Sequence, residues 1–236
     1  MSGLVRAKAV SARLVDHDWA WAEANVAAIT SNWERRRART PAIFNGRVLM
    51  VTAIRDAGER CEADFFATDY ANLLGWMDAG SPDATVANGF AMGALRTADG
   101  AFVLGRMAPH TANAGKLYFP CGTPDLSDVT ASREVDLAGS LLREIAEETG
   151  IGAVELTLEP DWTIVREGGL VAFMRIARLE MAAETARDRI LAHLAADPRP
   201  ELSEIRLVRS LAEIDGEPVP PVVPAFLRHA FAAAQR

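Results

Sequence analysis

The sequence predicts an α+β fold: a mixed sheet layered with helices, preceded by a smaller α+β extension. Three observations lead there. Short stretches of strand character lie both before and after one strongly helical segment around Leu137, Leu141, Leu142 and Ile145, which Gly150 stops. Turn signals at Asn45-Gly46, Asp56 to Gly58, Asp99-Gly100 and Glu167 to Gly169 join many of those stretches as hairpins, which argues against a purely parallel sheet. The stretch 78–88, with its Gly-Ser-Pro-Asp run, has linker chemistry and divides an N-terminal part, 1–80, from residues 81–236.

The elements follow in order. Residues 16–38 predict one helix, capped by Asp16 or Asp18, with Trp19, Ala22, Val26, Ile29 and Trp33 at helical spacing. It ends in Glu34-Arg35-Arg36-Arg37, where cations suit the dipole. That basic run reads either as a solvated helix end or as a phosphate patch. Pro41 breaks the helix, and Asn45-Gly46 predicts a hairpin leading into the apolar stretch at 48–52. A strand over 61–68 and a short helix over 70–77 come before the linker. Residues 90–97 and 101–106 form a second predicted hairpin, and 116–119 a short strand running into Pro120-Cys121-Gly122. After the central helix, strands are expected over 156–165 and 170–179, a helix over 182–196, a strand over 205–208 and a C-terminal helix over 224–234.

Composition narrows the function. The 236 residues include 25 basic and 32 acidic side chains, a formal charge of -7, and 50% hydrophobic residues. A chain this apolar and this long folds, burying about 70–75% of its unfolded surface without staples. The acidic balance argues against nucleic acid as a partner. No apolar run approaches the ~20 residues that span a bilayer, so no membrane partner is expected. The N-terminal stretch has charges but no continuous apolar segment, so no signal peptide is expected. Two cysteines, Cys61 and Cys121, fit a reducing, cytoplasmic location.

The chemistry concentrates in Arg143-Glu144-Ile145-Ala146-Glu147-Glu148-Thr149-Gly150-Ile151. Glu144 and Glu148 are four apart on a helix and share a face, with Glu147 beside them. Like charges so placed cost a few tenths of a kcal/mol. A solvated acidic face tolerates that; a hard divalent cation repays it, since Mg²⁺ takes one or two carboxylates plus substrate phosphates. Arg143 stands four before Glu147 and can hold a carboxylate in place.

The string resembles the Nudix box, whose pattern is Gly, five residues, Glu, seven residues, then Arg-Glu-aliphatic-any-Glu-Glu-any-Gly-aliphatic. The second half matches at every specified position from Arg143 to Ile151. The hairpin 102–106 and the run Tyr118-Phe119-Pro120-Cys121-Gly122 resemble the family's approach to the box. The first half departs. Val135 stands where the family has Glu, and the nearest glycine, Gly122, lies too far upstream for the pattern. About seven extra residues, Asp125 and Asp128 within the inserted stretch 123–133, account for the gap. Glu134 and Asp136 flank the missing position out of register.

The resemblance implies an α/β/α sandwich around a mixed sheet. It implies metal-dependent hydrolysis of a nucleoside diphosphate linked to another moiety, with Mg²⁺ or Mn²⁺ as cofactor. By motif position, Glu144, Glu147, Glu148 and the Gly122 carbonyl are the metal ligands, and Glu144, Glu147 and Arg143 the catalytic residues. The general base is Glu144, Glu147 or a downstream acid: Glu167, Glu201 or Glu204. Arg106, Lys116 and Arg166 are candidate phosphate contacts, while Tyr118 and Phe119 either border a base or sugar or pack in the core. Of the four histidines, His110 is the one near the active region, and the Cys121 surroundings offer no base to activate a thiol. The layout of the N-terminal part resembles the branch that cleaves UDP-sugars; there it would shape the nucleotide or sugar pocket, or a homodimer contact. The altered first half also admits a non-catalytic nucleotide sensor on the same fold.

Overall fold

The structure is a computed structural model, and it describes residues 3–234. Met1 and Ser2, which begin the N-terminal stretch read above, lie outside the described residues. The chain opens with β1 (Gly3–Ala7) and β2 (Ala9–Leu14), then α1 (Ala20–Ala24) and α2 (Val26–Arg39). There follow β3 (Arg47–Ala57), β4 (Arg60–Asp69), α3 (Tyr70–Asp78), β5 (Asn88–Arg96) and β6 (Phe102–Met107). Two short strands, β7 (Leu117–Tyr118) and β8 (Cys121–Gly122), lead to α4 (Leu137–Thr149). The remainder is β9 (Leu156–Leu158), β10 (Trp162–Glu167), β11 (Leu170–Leu179), α5 (Ala183–Ala196), β12 (Leu202–Val208) and α6 (Val222–Ala234). No helix among the described residues is long and apolar enough to cross a membrane.

The fold is α+β, built on a large mixed sheet in the order β1-β10-β11-β5-β6-β12, with the short strands β7, β8 and β9 paired to β6, β5 and β11. The β5–β11 pair is parallel and the others in that order are antiparallel. A second sheet runs β2-β4-β3. Strand alternation sorts the layers. Gly93 of β5 faces α4, since a methyl group there would enter Ile145. Gly89, on the same face, meets Val51 and Phe65 of the second sheet. Arg96, of opposite parity, pairs with Phe102, and the Phe102 ring meets Phe119, Phe226 and Phe231 edge-on. So α4 and the small sheet cover one face and α6 covers the other. One apolar core runs through all three layers, from Ala7 and Val51 to Phe226.

Several local expectations change. Residues 3–14 form two strands that the hydrophobic pattern did not announce. The helix expected over 16–38 is two helices broken at Asn25, without the caps expected from Asp16 or Asp18, and Val26 is exposed where the spacing had it facing inward. Asn45-Gly46 is no hairpin turn. The Asn45 side chain accepts the Ala71 N–H at 2.8 Å and the Gly46 carbonyl accepts the Tyr70 N–H, so the pair fastens the start of α3. The stretch 156–165 divides into β9 and β10, which pair with the same neighbour, β11.

Candidate active site

Helix α4 supplies the acidic cluster because both of its ends are defined. Asp136 caps it by accepting the Gly139 N–H at 2.8 Å, and Gly150 ends it in the left-handed conformation at φ 69°. Leu141 and Ile145 bury one stripe against β5, and this orients the next stripe, Glu144 and Glu148, toward β8. In β8, Cys121 pairs with Met92 and Gly122 with Ala91. Alternation therefore turns Gly122 toward α4 and Cys121 toward the opposite face.

Gly122 is where the backbone meets the acids. A methyl group on it would fall inside the Glu144 carboxylate. Glu148 lies next to it, 5% exposed, and its Oε1 accepts the Cys121 N–H at 3.4 Å. Its Oε2 is buried without a hydrogen-bond partner. A buried, unpartnered carboxylate oxygen is costly unless something positive or protonic occupies its free side. Burial pushes the Glu144 carboxyl up to about 7, with Glu147 and Glu201 adding to the effect and Arg143 opposing it. Glu148 is also raised well above its ordinary range, by burial and then by Glu144 and Glu201. The Cys121 thiol also titrates well above its ordinary range, so a thiolate nucleophile is disfavoured.

Arg143 holds this corner together. It donates to Glu144 Oε1 at 2.8 Å, to both Asp128 oxygens at 2.9 and 3.0 Å, and lies 3.8 Å from Glu147. Asp128 comes from the inserted loop, is 8% exposed, and also accepts the Asp125 N–H. The insertion is tied to the N-terminal strands. Leu49 donates to the Pro124 carbonyl, Leu14 to that of Arg133, and Val135 to that of Ala12. Val135, at the position of the family's first glutamate, is a buried core residue. Neither flanking acid fills in for it: Glu134 is exposed beside Ser132, and Asp136 is taken up in capping α4. Asp128 is the acid that reaches the box arginine, and its sequence position was outside the pattern that would have found it.

A cleft of about 500 Å³ opens on the other side of β8. Cys121, Gly122 and Thr123 line it, whereas Glu144 and Glu148 do not; they touch it through Gly122 and Cys121. Of the residues singled out from sequence, Lys116, Tyr118, His110 and Glu201 line this cleft. Lys116 bonds Asn113 at 3.0 Å, and desolvation followed by the charge of Arg36 lowers its pKa. Glu201 belongs to both halves, lining the cleft while raising Glu144 and Glu148. Other candidates are placed elsewhere. Glu147 is 61% exposed at the rim. Arg106 is held by Glu204 at 2.7 Å and Glu217 at 2.9 Å, which also occupies Glu204. Arg166 pairs with Asp56 at 2.7 Å, Glu167 ends β10 outside the cleft lining, and Phe119 is core. The N-terminal part adds a wall to the cleft: Phe44 and Tyr70, from the segments Phe44-Asn45-Gly46 and 66–70 whose layout resembles the UDP-sugar branch, and Ile43, which the sequence did not single out. Phe44 is 81% exposed at this wall.

Two carboxylates beside the Cys121-Gly122 backbone, one with an orphaned oxygen, suit a hard cation. Among the described residues no group of three or more His, Cys, Asp or Glu side chains is already arranged as a metal cage.

No protein-family model and no curated protein matches this chain. Solved structures do resemble it. A crystal structure of a Nudix hydrolase from M. smegmatis, RenU, is similar at 19% identity over 63% of this chain and 86% of that one, with a TM-score of 0.41. The MutT protein from Methanosarcina mazei Go1 is similar at 20% identity over 63% and 94% of the two chains, TM-score 0.38. An Ap4A hydrolase from C. elegans, as a binary complex, is similar at 17% identity over 62% and 98%, TM-score 0.43.

Proposed function

We propose that this chain is a Nudix-type hydrolase that uses Mg²⁺ or Mn²⁺ to cleave the diphosphate of a nucleoside diphosphate linked to another moiety, with nucleotide sugars the first substrates to test. The observation that carries this reading is the approach of Glu144 and the buried, half-satisfied Glu148 to the Gly122 backbone beside a substrate-sized cleft. The Arg143–Ile151 string supports it independently.

In this reading Glu144, Glu148 and the Gly122 carbonyl would hold the cation, with the exposed Glu147 as a further ligand. When bound, the cation supplies charge neutralisation, a more acidic water and stabilisation of the departing phosphate. Arg143, anchored by Asp128, fixes the Glu144 carboxylate. Lys116 attracts phosphate oxygens at the cleft wall, and Tyr118 borders the substrate. Glu201 is the base best placed: it faces the cleft, whereas Glu204 is bound by Arg106 and Arg206. A water oxygen bonds to phosphorus as the bridging P–O bond breaks. The water proton passes to Glu201, and the leaving phosphate departs with the bridging oxygen.

The test is a product-release screen over nucleotide sugars, ADP-ribose, dinucleotide polyphosphates, NADH and CoA, with Mg²⁺, with EDTA and with Glu148→Gln. Activity is expected with Mg²⁺ alone, and Glu148→Gln is expected to lower it by about a hundredfold or more. Activity that survives both EDTA and Glu148→Gln would sink the mechanism. The buried Val135 in place of the family's first glutamate favours one other reading, a nucleotide sensor. Calorimetric binding of a nucleotide with silence across the panel would establish it.

A further inference from the structure

A second groove, of about 440 Å³, runs from the last turns of α2 to the loop after β6. Ile43, Thr111 and Ala112 line both hollows, so the groove adjoins the cleft. Arg35, Arg36 and Arg39 bring three guanidinium groups to it, against one carboxylate, Asp78. These groups are set by a fixed network. Asn32, 7% exposed, donates to Asp78 at 2.9 Å and accepts from Arg35 at 2.8 Å. Asp78 takes Arg36 through both Nε and Nη2, at 2.7 and 2.6 Å. Among the described residues the Arg39 side chain has no partner. The groove is therefore net positive in a chain of charge -7.

Helix-dipole compensation explains basic residues at the end of α2, but not their arrangement. Arg37 would serve the dipole equally and stays out of the groove, while its three neighbours line it. Their field reaches the cleft, since Arg36 acts electrostatically on both Lys116 and Tyr70.

We infer that this groove is a subsite for an anionic group, a carboxylate or a phosphate, carried by the part of the substrate remote from the diphosphate. Guanidinium forks match either anion with paired hydrogen bonds; Arg39 can supply both, and Arg35 those N–H groups it does not give to Asn32. The inference rests on the diphosphatase reading for the identity of the bound molecule, and it narrows the substrate class to nucleoside diphosphate derivatives with a second acidic group.

Matched pairs test it: UDP-glucuronate against UDP-glucose, and NADPH against NADH, each with wild type, Arg39→Gln and Arg35→Gln/Arg39→Gln. In at least one pair the acidic member is expected to be favoured about tenfold, the worth of one charge-assisted hydrogen bond, and in KM rather than kcat. Both variants should reduce that preference and leave the neutral member unchanged. Arg39 has no internal bond to lose, so the single variant reads out binding rather than folding. Equal KM for both members of both pairs, or an equal loss for neutral and acidic members in the variants, overturns the subsite. Should no compound be hydrolysed, the diphosphatase reading fails, and calorimetry on the same pairs with Ca²⁺ still decides the groove. Tighter binding of an acidic member, lost in Arg39→Gln, supports it; equal or absent binding overturns it. Inhibition by inorganic phosphate that is equal for both members, with no preference between them, marks a free-ion site and also overturns it.

Discussion

At the scale of single residues, the site depends on one missing side chain and one misplaced acid. Gly122 has no room for a methyl group beside Glu144, so Gly122→Ala must displace the carboxylate or the strand. The variant is expected to keep its circular dichroism spectrum and lose about a hundredfold in metal affinity by titration calorimetry. Unchanged affinity would separate Glu144 from the cation. Asp128 holds the box arginine from outside the box. Asp128→Asn is expected to cost about 1–3 kcal/mol, because it weakens a buried charge-assisted contact, and to lower kcat with little change in KM. The acids also make a pH prediction. With Glu144 at about 7 against its ordinary 4.5, and Glu148 also raised, the folded metal-free protein binds more protons than the unfolded chain across that interval. Stability therefore falls as pH rises from about 4.5 to 7, by up to about 3 kcal/mol for Glu144 alone. Melting of EDTA-treated protein should show this fall, and Glu144→Gln/Glu148→Gln should flatten it. An unchanged slope in the double variant would place the effect elsewhere.

At the scale of elements, connections decide more than the elements themselves. Helix α4 was readable because its apolar stripe, its terminating Gly150 and its acids all follow one period. The role of Asn45-Gly46 was not, because a two-residue turn signal and a distant helix cap use the same residues. The side chain of Asn45 satisfies the Ala71 N–H, which the residue preceding α3, Asp69, leaves without a side-chain cap. Asn45→Ala is expected to cost about 1 kcal/mol, seen as a lower melting temperature. It should also raise KM, because Ile43 and Phe44 of the cleft wall lead directly into it. A lower melting temperature with unchanged KM would detach that wall from binding. The inserted loop behaves similarly. Its length was legible as a gap in the pattern, but not its hydrogen bonds to Leu14, Ala12 and Leu49, which join segments more than seventy residues apart in sequence.

At the scale of the whole molecule, the N-terminal part and the box-bearing part share the larger of two apolar cores, while a smaller one around Trp19, Phe66 and Trp76 lies almost wholly in the N-terminal part. β1 pairs with β10 from Gly3 to Ala7, and Val51 and Phe65 pack over Gly89. Removing residues 1–80 would uncover β10 and the Phe173 side of the large sheet, which Phe65 now meets at 5.9 Å between ring centroids. A chain beginning at residue 81 is expected to be insoluble or to lack a cooperative melting transition; a soluble, cooperatively folded fragment would show that the division at residue 80 is a true domain boundary.

What the sequence by itself determined is local or periodic: the α+β class, most of the strands and helices, and the acidic string on α4. These follow from hydrophobic period, turn chemistry and caps, which act within about one element's length. What only the tertiary structure decided is which groups meet. It brought Asp128 to Arg143, buried Val135, turned Glu147 outward, engaged Arg106 with Glu204 and Glu217, and set Phe44 at the cleft wall and the arginines of α2 along the second groove. Those outcomes depend on strand register and on packing between distant segments, where a carboxylate's partner is chosen by burial and proximity rather than by its place in the chain.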